Sequence, residues 1–503
     1  MDITPNYTAG LGSIGFTTGN SGYIPAQRNF EYRCYGADTG YYAIGIAEKL
    51  VDSYMKMLNK IKEQMIMCEE KGLLAGFGKV DMTPDYPVSL GGYGDEAQRK
   101  HEMVAEPIYT TCIALTEGEE TILVYTSDML SCYKRMADDI RLAVTAATGI
   151  PGEKIFCAAT HSHSAPAYGI EKEFCEDWKT ASVKAARLAL ADQAPAKVLA
   201  AKKEIHGMNF VRHYMTANGT PAGTGFGSFK DNPAVGYMSQ PDRQLLLIKL
   251  EREGLKKPIL LVNWQGHPDC GTQIGRRNMA PSYPGPLRDT LSALSGCLVA
   301  YFTGADGNTN ISTAVIKADD HGLNWREYGA KMAQLAYEAM KELREVEGTG
   351  IATKREIVEV EIDHSWDHLL PQAKEVFDLW KTVGLKEANE LGKTYGFTSA
   401  RQANAIIRRY SMEKTGQLEL NTFRVGGIGF TTGTYEMFSE SGISIRENSP
   451  YEFTFLLTGN FSYIPSDAAF NYRCYEADTG YYARGTAEKL VDKYLEMLKE
   501  IQG

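Results

Sequence analysis

Apolar residues in this chain fall into short runs, each cut off by a Gly, Pro, Ser or Asn turn, with stretches of helical periodicity between them. The runs "LLAGFGKVDMTP", "TILVYTSDML" (Thr121 to Leu130), "KIFCAATHSHSAP" (Lys154 to Pro166), "RQLLLIKLE", "KPILLVNWQGHP" and "LVAYFTGADGNTN" read as buried strands. Between them, "KRMADDIRLAVTAATG" and "CEDWKTASVKAARLALAD" carry apolar residues at helical spacing, the first ending at a glycine stop. Alternating strand and helix predicts an α/β fold, a mixed sheet core with flanking helices. Helices dominate the expectation from Asn324 to about Arg409, and Gly-rich, strand-like "FRVGGIGFTTGTYEMF" follows.

The two ends of the chain repeat each other. Gly22 to Leu58 matches Ser462 to Leu498 without a gap at an offset of 440, and "IGFTTG" occurs at Ile14 to Gly19 and Ile428 to Gly433 at an offset of 414. The front copy therefore resembles the tail with 26 residues removed. Two copies do not make a solenoid. The organisation expected is a partial duplicate over residues 1–72 and a catalytic body over 73–503. Both copies close in an amphipathic helix whose Leu, Val, Tyr and Met stripe reads as a packing face, suited to the body or to a second subunit in a homo-oligomer.

Three of the apolar strands end in polar clusters: "THSH", "GHPD" and "GADGNTN". Open α/β sheets bind ligands at the carboxyl ends of their strands, so these clusters are expected to converge there. If the strand continues through its motif, His161 and His163 share one face. Two imidazoles so placed bind a metal together, or one binds metal while the other moves protons; the bland alternative is a hydrogen-bonded pair in a polar loop.

Composition narrows the field. Hydrophobic content of 43% and charged content of 23% are ordinary for a globular chain. A net charge of −10 without a Lys/Arg cluster argues against nucleic acid. No apolar run is long enough for a transmembrane segment. The N-terminus lacks a basic start followed by an apolar stretch, and nine cysteines without a CxxC pair fit neither a zinc ribbon nor a disulfide framework, so a cytoplasmic setting is expected.

At this point the motifs resemble the neutral ceramidases and the wider neutral/alkaline non-lysosomal ceramidase-like group. "THSHSAP" resembles the family's "THTHSGP", "VNWQGHP" its Asn-Trp strand leading to a second histidine, and "SYIPSDAAFNYRCYEA" its Tyr-Ile segment with a second tyrosine followed by Glu-Ala. The resemblance runs from about Leu74 to the C-terminus and implies one catalytic zinc held by His161, His267, Glu436 and Tyr463. It implies His163 beside the metal as acid/base or oxyanion donor, Tyr475 nearby, and Arg212 holding a polar group of the substrate. Two departures stand out. The loop "ADGNTN" keeps Asp306 and Asn310 but has Asn308 where the family's "GDVSPN" has serine, and an amide can donate to an oxyanion but cannot act as a nucleophile. The family's C-terminal β-sandwich is expected to be absent.

The function expected is a zinc-dependent hydrolase of a linear, lipid-like or more polar small-molecule amide, using zinc-bound water. Esters as substrates, or an inactive relative that keeps metal and ligand binding, are the alternatives.

Overall fold

The computed structural model describes residues 52–57, 72–93, 99–223, 232–311, 322–459 and 462–503. The chain divides into a unit of Met1–Gln64 and a body of Met65–Gly503. Of the first unit, residues 52–57 are helical and exposed; the remainder of the front copy, including Tyr23 and Tyr35, lies outside the described residues.

The body is built on two sheets. The larger contains β1 (Leu74–Asp81), β2 (Tyr109–Glu117), β3 (Glu120–Ser127), β4 (Ile155–Ala159), β5 (Ala194–Glu204), β6 (Gln244–Arg252), β7 (Ile259–Trp264) and β8 (Leu298–Thr303), in the order β8-β7-β6-β5-β1-β2-β3-β4. A two-residue strand, Arg344–Glu345, pairs with β5. The smaller sheet runs β9 (Ile351–Glu361), β10 (Thr415–Val425), β11 (Ile428–Gly433) and β12 (Phe453–Thr458) in order. Most neighbours are antiparallel, but three pairs are parallel: β3 with β4, β7 with β8, and β11 with β12.

The sheets face each other through an aromatic core. Phe156, Leu261 and Phe302 of the large sheet pack with Phe423, Phe430 and Phe455 of the small one. Phe423 stacks on Phe156 at 4.3 Å and on Phe430 at 4.4 Å between centroids. Helices cover the outer faces. On the large sheet, α1 (Lys134–Thr148) and α2 (Lys172–Ala191) bury Met136, Ile140 and Trp178 against β2 to β4, while α3 (Pro284–Ser295) and α4 (Trp325–Ala339) bury Leu287, Leu291 and Met332 against β6 to β8.

A helical insert of α5 (Leu370–Thr382), α6 (Leu385–Thr394) and α7 (Ala400–Tyr410) leaves the small sheet between β9 and β10 and has its own core around Val376, Ala403 and Ile406. Helix α8 (Ser439–Asn448) follows β11, and two short helices, α9 (Asp467–Tyr472) and α10 (Tyr475–Thr479), precede the C-terminal α11 (Thr486–Glu500). The apolar stripe of α11 buries Leu490, Tyr494 and Met497 against the small sheet. No helix among the described residues is long and apolar enough to cross a membrane.

Where helices are expected to dominate, between Asn324 and about Arg409, strand β9 intervenes. Its Val358 and Val360 point inward between exposed glutamates, a period-two pattern. Charged residues occupy both of its faces: Lys354 and Glu356 share the face of Val358 and Val360 and pair with α11, where Lys493 lies 2.7 Å from Glu356.

Topology brings the site together. All three parallel pairs end on one side, tied by threonines: Thr303 Oγ1 donates to Thr160 O at 2.9 Å, and Thr458 Oγ1 to Thr303 O at 3.2 Å. The two edge strands of the large sheet are thus drawn together beside β12, and the residues after each pair converge.

Candidate active site

Strand β4 stops at Ala159, and the chain turns at once. His161 adopts φ of 63°, a left-handed conformation costing a non-glycine residue about 1–2 kcal/mol and retained only where the surroundings enforce it. The alternation expected from a continuing strand therefore does not apply. The turn brings the rings together instead: His161 and His163 lie 4.9 Å apart, nearly perpendicular. Ser162 holds the turn by donating from its hydroxyl to Ala280 O at 2.8 Å and from its backbone to Met129 O at 3.2 Å.

His267 enters from the end of β7 and completes a cluster of three buried imidazoles. The Nε2 separations are 3.1 Å (His161 to His267), 3.3 Å (His161 to His163) and 3.0 Å (His163 to His267). Burial pushes His161 and His267 well below the ordinary imidazole range, and the neighbouring imidazoles add to the effect. His163 is lowered by burial too, with Asp269 opposing.

His161 Nδ1 lies 2.6 Å from Leu130 O, and His267 Nδ1 lies 3.3 Å from Asp306 O. Each Nδ1–H therefore donates to a carbonyl, leaving two bare Nε2 lone pairs 3.1 Å apart. His163 is held less firmly. Its Nδ1 lies 3.8 Å from Asp269 Oδ1 and lacks a hydrogen bond of good geometry. Its ring packs against Gly92, where φ is 111° and an added Cβ would meet Nδ1 at 2.6 Å.

Acidic groups come from the other strand ends. Glu436 sits in a two-residue parallel bridge with Tyr463, its Oε2 3.7 Å from His161 Nε2 and without a hydrogen-bond partner although buried. Burial, reinforced by Asp306, pushes its carboxyl well above the usual range. The Tyr463 hydroxyl hydrogen-bonds Glu436 and accepts from Arg212 Nη2 at 3.3 Å. Asp306, after β8, is fully buried; neither side-chain oxygen makes a hydrogen bond, Oδ2 lies 3.6 Å from His267 Nδ1, and burial raises the carboxyl to about 8.

This donor set fits a divalent cation such as zinc. Ligands about 2.0–2.1 Å from a tetrahedral zinc stand about 3.3 Å apart. The observed nitrogen separations are close to that, and the Glu436 oxygen that makes no hydrogen bond is a further donor that a bound cation would ionise.

A cavity of about 410 Å³ opens onto the cluster. His161, His163, Glu436, Tyr463 and Tyr475 line it, with aromatic walls from Tyr93, Tyr133, Tyr168, Trp380 and Tyr481. His267, Arg212, Asp306 and Asn308 do not line it. The Arg212 guanidinium is engaged instead by Glu476, with Nη2 2.6 Å from Oε1, and by Gly307 O at 2.9 Å. Asn308 is turned toward α8: its amide donates to Glu440 at 2.8 Å, and its carbonyl oxygen accepts from Ser439 N and Oγ. It is thus placed to hold α8 rather than to meet an oxyanion in the cavity. Asn310 is half-buried and caps its own loop through Ile311 N.

Sequence reasoning passed over several residues. Glu476 is fully buried and binds both Arg212 and His213, the latter at 2.7 Å. Its signal was its place directly after Tyr475. His213, Cys474 and Glu476 form a second cluster of ligand-type side chains, but Arg212 already neutralises the Glu476 carboxylate, so the cluster supports Arg212. Asp269, two residues after His267, accepts from the Tyr93 hydroxyl beside His163.

No protein-family model and no curated protein sequence matches the chain. Among solved structures, it is similar to the neutral ceramidase of Pseudomonas aeruginosa (TM-score 0.63, 15% identity, 85% of this chain and 74% of that one). It is also similar to a ceramidase complexed with C2 (TM-score 0.62, 14% identity, 85% and 75%). Two facing sheets with flanking helices, and a histidine cluster where their parallel pairs end, are therefore set in a chain with the neutral ceramidase fold.

Proposed function

We propose that the protein is a zinc-dependent hydrolase of linear N-acyl amides. The observation that carries this reading is the convergence of three buried imidazoles, two of them lining the cavity, with a buried Glu436 oxygen that makes no hydrogen bond. His161, His267, Glu436 and Tyr463 would hold the ion, because the first two have their Nε2 lone pairs aimed by backbone carbonyls and the last two supply anionic or phenolic oxygen. Zinc bound there supplies Lewis acidity and makes water an effective nucleophile near neutral pH.

The remaining roles fall to the chain's own groups. His163 lines the cavity within 3.3 Å of His161 and faces Asp269, so it takes a proton on the nucleophile side and returns it to the leaving amine. Tyr475 lines the same cavity with its ring 6.1 Å from that of Tyr463, placing a phenol where a substrate carbonyl would lie. Arg212 acts through Tyr463, orienting the phenol from behind, and Asp306 orients His267 through its backbone carbonyl.

The test is metal analysis of the purified chain together with release of free amine from N-octanoylethanolamine. About one zinc per chain is expected, with amine release lost to a chelator and restored by zinc. Turnover that survives complete removal of metal refutes the reading.

A further inference from the structure

The wall that α7 contributes to the cavity carries positive charge with no carboxylate partner among the described residues. Arg401, Asn404 and Arg408 line the cavity, and their spacing of three and four residues puts them on one helical face. The opposite face fixes the helix: Arg409 is buried, donates to Gly480 O at 2.7 Å and pairs with Asp363 at 3.3 Å. Nearby Arg473 and Arg484 are likewise matched, to Asp478 and Asp467. Arg401 and Arg408 are exposed and have no carboxylate partner among the described residues. Among the described residues, the only acidic one in the cavity lining is Glu436, which lies beside the imidazole cluster. A chain of net charge −10 thus presents two unmatched guanidiniums to its own candidate active site.

Guanidinium is the side chain suited to a planar carboxylate, which it binds through two parallel N–H donors. We propose that the cavity recognises an N-acyl amide bearing a carboxylate, as in an N-acyl amino acid, with Arg401 and Arg408 holding the carboxylate. The apolar acyl part lies against the Trp380, Tyr168 and Tyr481 rings. This inference rests on the amide-hydrolase reading for its scissile bond, while recognition of the anion is a separate property that binding alone reports.

The test compares binding of N-octanoylglycine with that of neutral N-octanoylethanolamine to the full chain, by calorimetry at low salt, with and without added zinc. The glycine conjugate should bind about 10-fold or more tightly, and the advantage should shrink as salt is raised. In the double variant Arg401→Gln, Arg408→Gln the ratio should fall close to one. Both positions are exposed and without an ion-pair partner among the described residues, so the variant should fold, as circular dichroism would verify. Equal binding by the wild-type chain overturns the proposal. So does a preference that survives in the double variant, because the carboxylate then sits at the imidazoles. N-octanoyl phosphoethanolamine serves as a third probe, and tighter, arginine-dependent binding of it than of the glycine conjugate overturns the carboxylate assignment in favour of phosphate. Failure to hydrolyse any of the three counts against the hydrolase reading and leaves the binding result to decide this one.

Discussion

Glu476→Gln is the substitution whose cost the structure defines most closely. The carboxylate is fully buried, with Oε1 on Arg212 at 2.6–2.7 Å and Oε2 on His213 Nε2 at 2.7 Å. Burial alone would raise it, but the charges of His213 and Arg212 outweigh burial and hold it down at about 2. Set against the ordinary glutamate of an unfolded chain, that difference is worth about 3 kcal/mol. A second route gives a similar figure: removing one partner of a buried pair and stranding the other costs about 3–5 kcal/mol. Because glutamine keeps some hydrogen bonding, a loss of about 3 kcal/mol is expected at pH 7. A depressed folded-state value contributes stability that is fully present above the unfolded value near 4.3 and is lost as pH falls toward 2. Denaturant unfolding of both proteins from pH 7 downward should therefore show a gap that is constant above about pH 5 and narrows below it. Arg212 also holds the Tyr463 hydroxyl, so the variant should bind zinc more weakly at neutral pH. A loss under about 1 kcal/mol at pH 7, or a gap that does not narrow in acid, would refute the pairing as the source of the stability.

His267→Ala should lose at least about 10-fold in zinc affinity by competition with a chromophoric chelator, whereas His163→Ala should keep zinc and lose on the order of 10²-fold in turnover; loss of zinc in the His163 variant would make that residue a ligand. Gly92→Ala puts a methyl group onto the His163 ring at a positive φ, so amine release should fall sharply and stability by about 1–3 kcal/mol, and unchanged kinetics would contradict the contact. Deleting residues 1–72 should leave zinc content and turnover of the body intact; loss of zinc in that deletion, with zinc retained in Tyr463→Phe, would assign the metal to the front copy.

Local pattern was enough for the strands and helices nearest the site. The runs ending in "THSH", "GHPD" and "GADGNTN" appear as β4, β7 and β8, and α1 stops at Gly149 in the left-handed conformation that a glycine stop implies. A short continuous apolar run reports a strand buried on both faces, and these three strands are buried between the outer helices and the small sheet. The resemblance of "VNWQGHP", "SYIPSDAAFNYRCYEA" and "THSHSAP" to neutral ceramidase motifs pointed to the fold that the solved structures share with this chain.

Other features depend on contacts distant in sequence. Strand β9 is stabilised by pairing with β10 along its whole length, and charged residues on both of its faces disguise a period of two. The meeting of His161 with His163 comes from a left-handed turn enforced by Met129 and Ala280, not from strand alternation. Asn308, read from its motif as facing the reaction, is claimed by Ser439 and Glu440 of a helix more than a hundred residues away. Arg401 and Arg408 carry no motif; only the docking of α7 through Arg409 makes them a wall of the cavity. Sequence by itself determined which polar clusters stand at which strand ends, because composition and periodicity are properties of neighbours along the chain. Which of those side chains face one another, and which are engaged elsewhere, was decided by tertiary structure, because hydrogen bonds and ion pairs between remote segments set side-chain direction and leave no local trace.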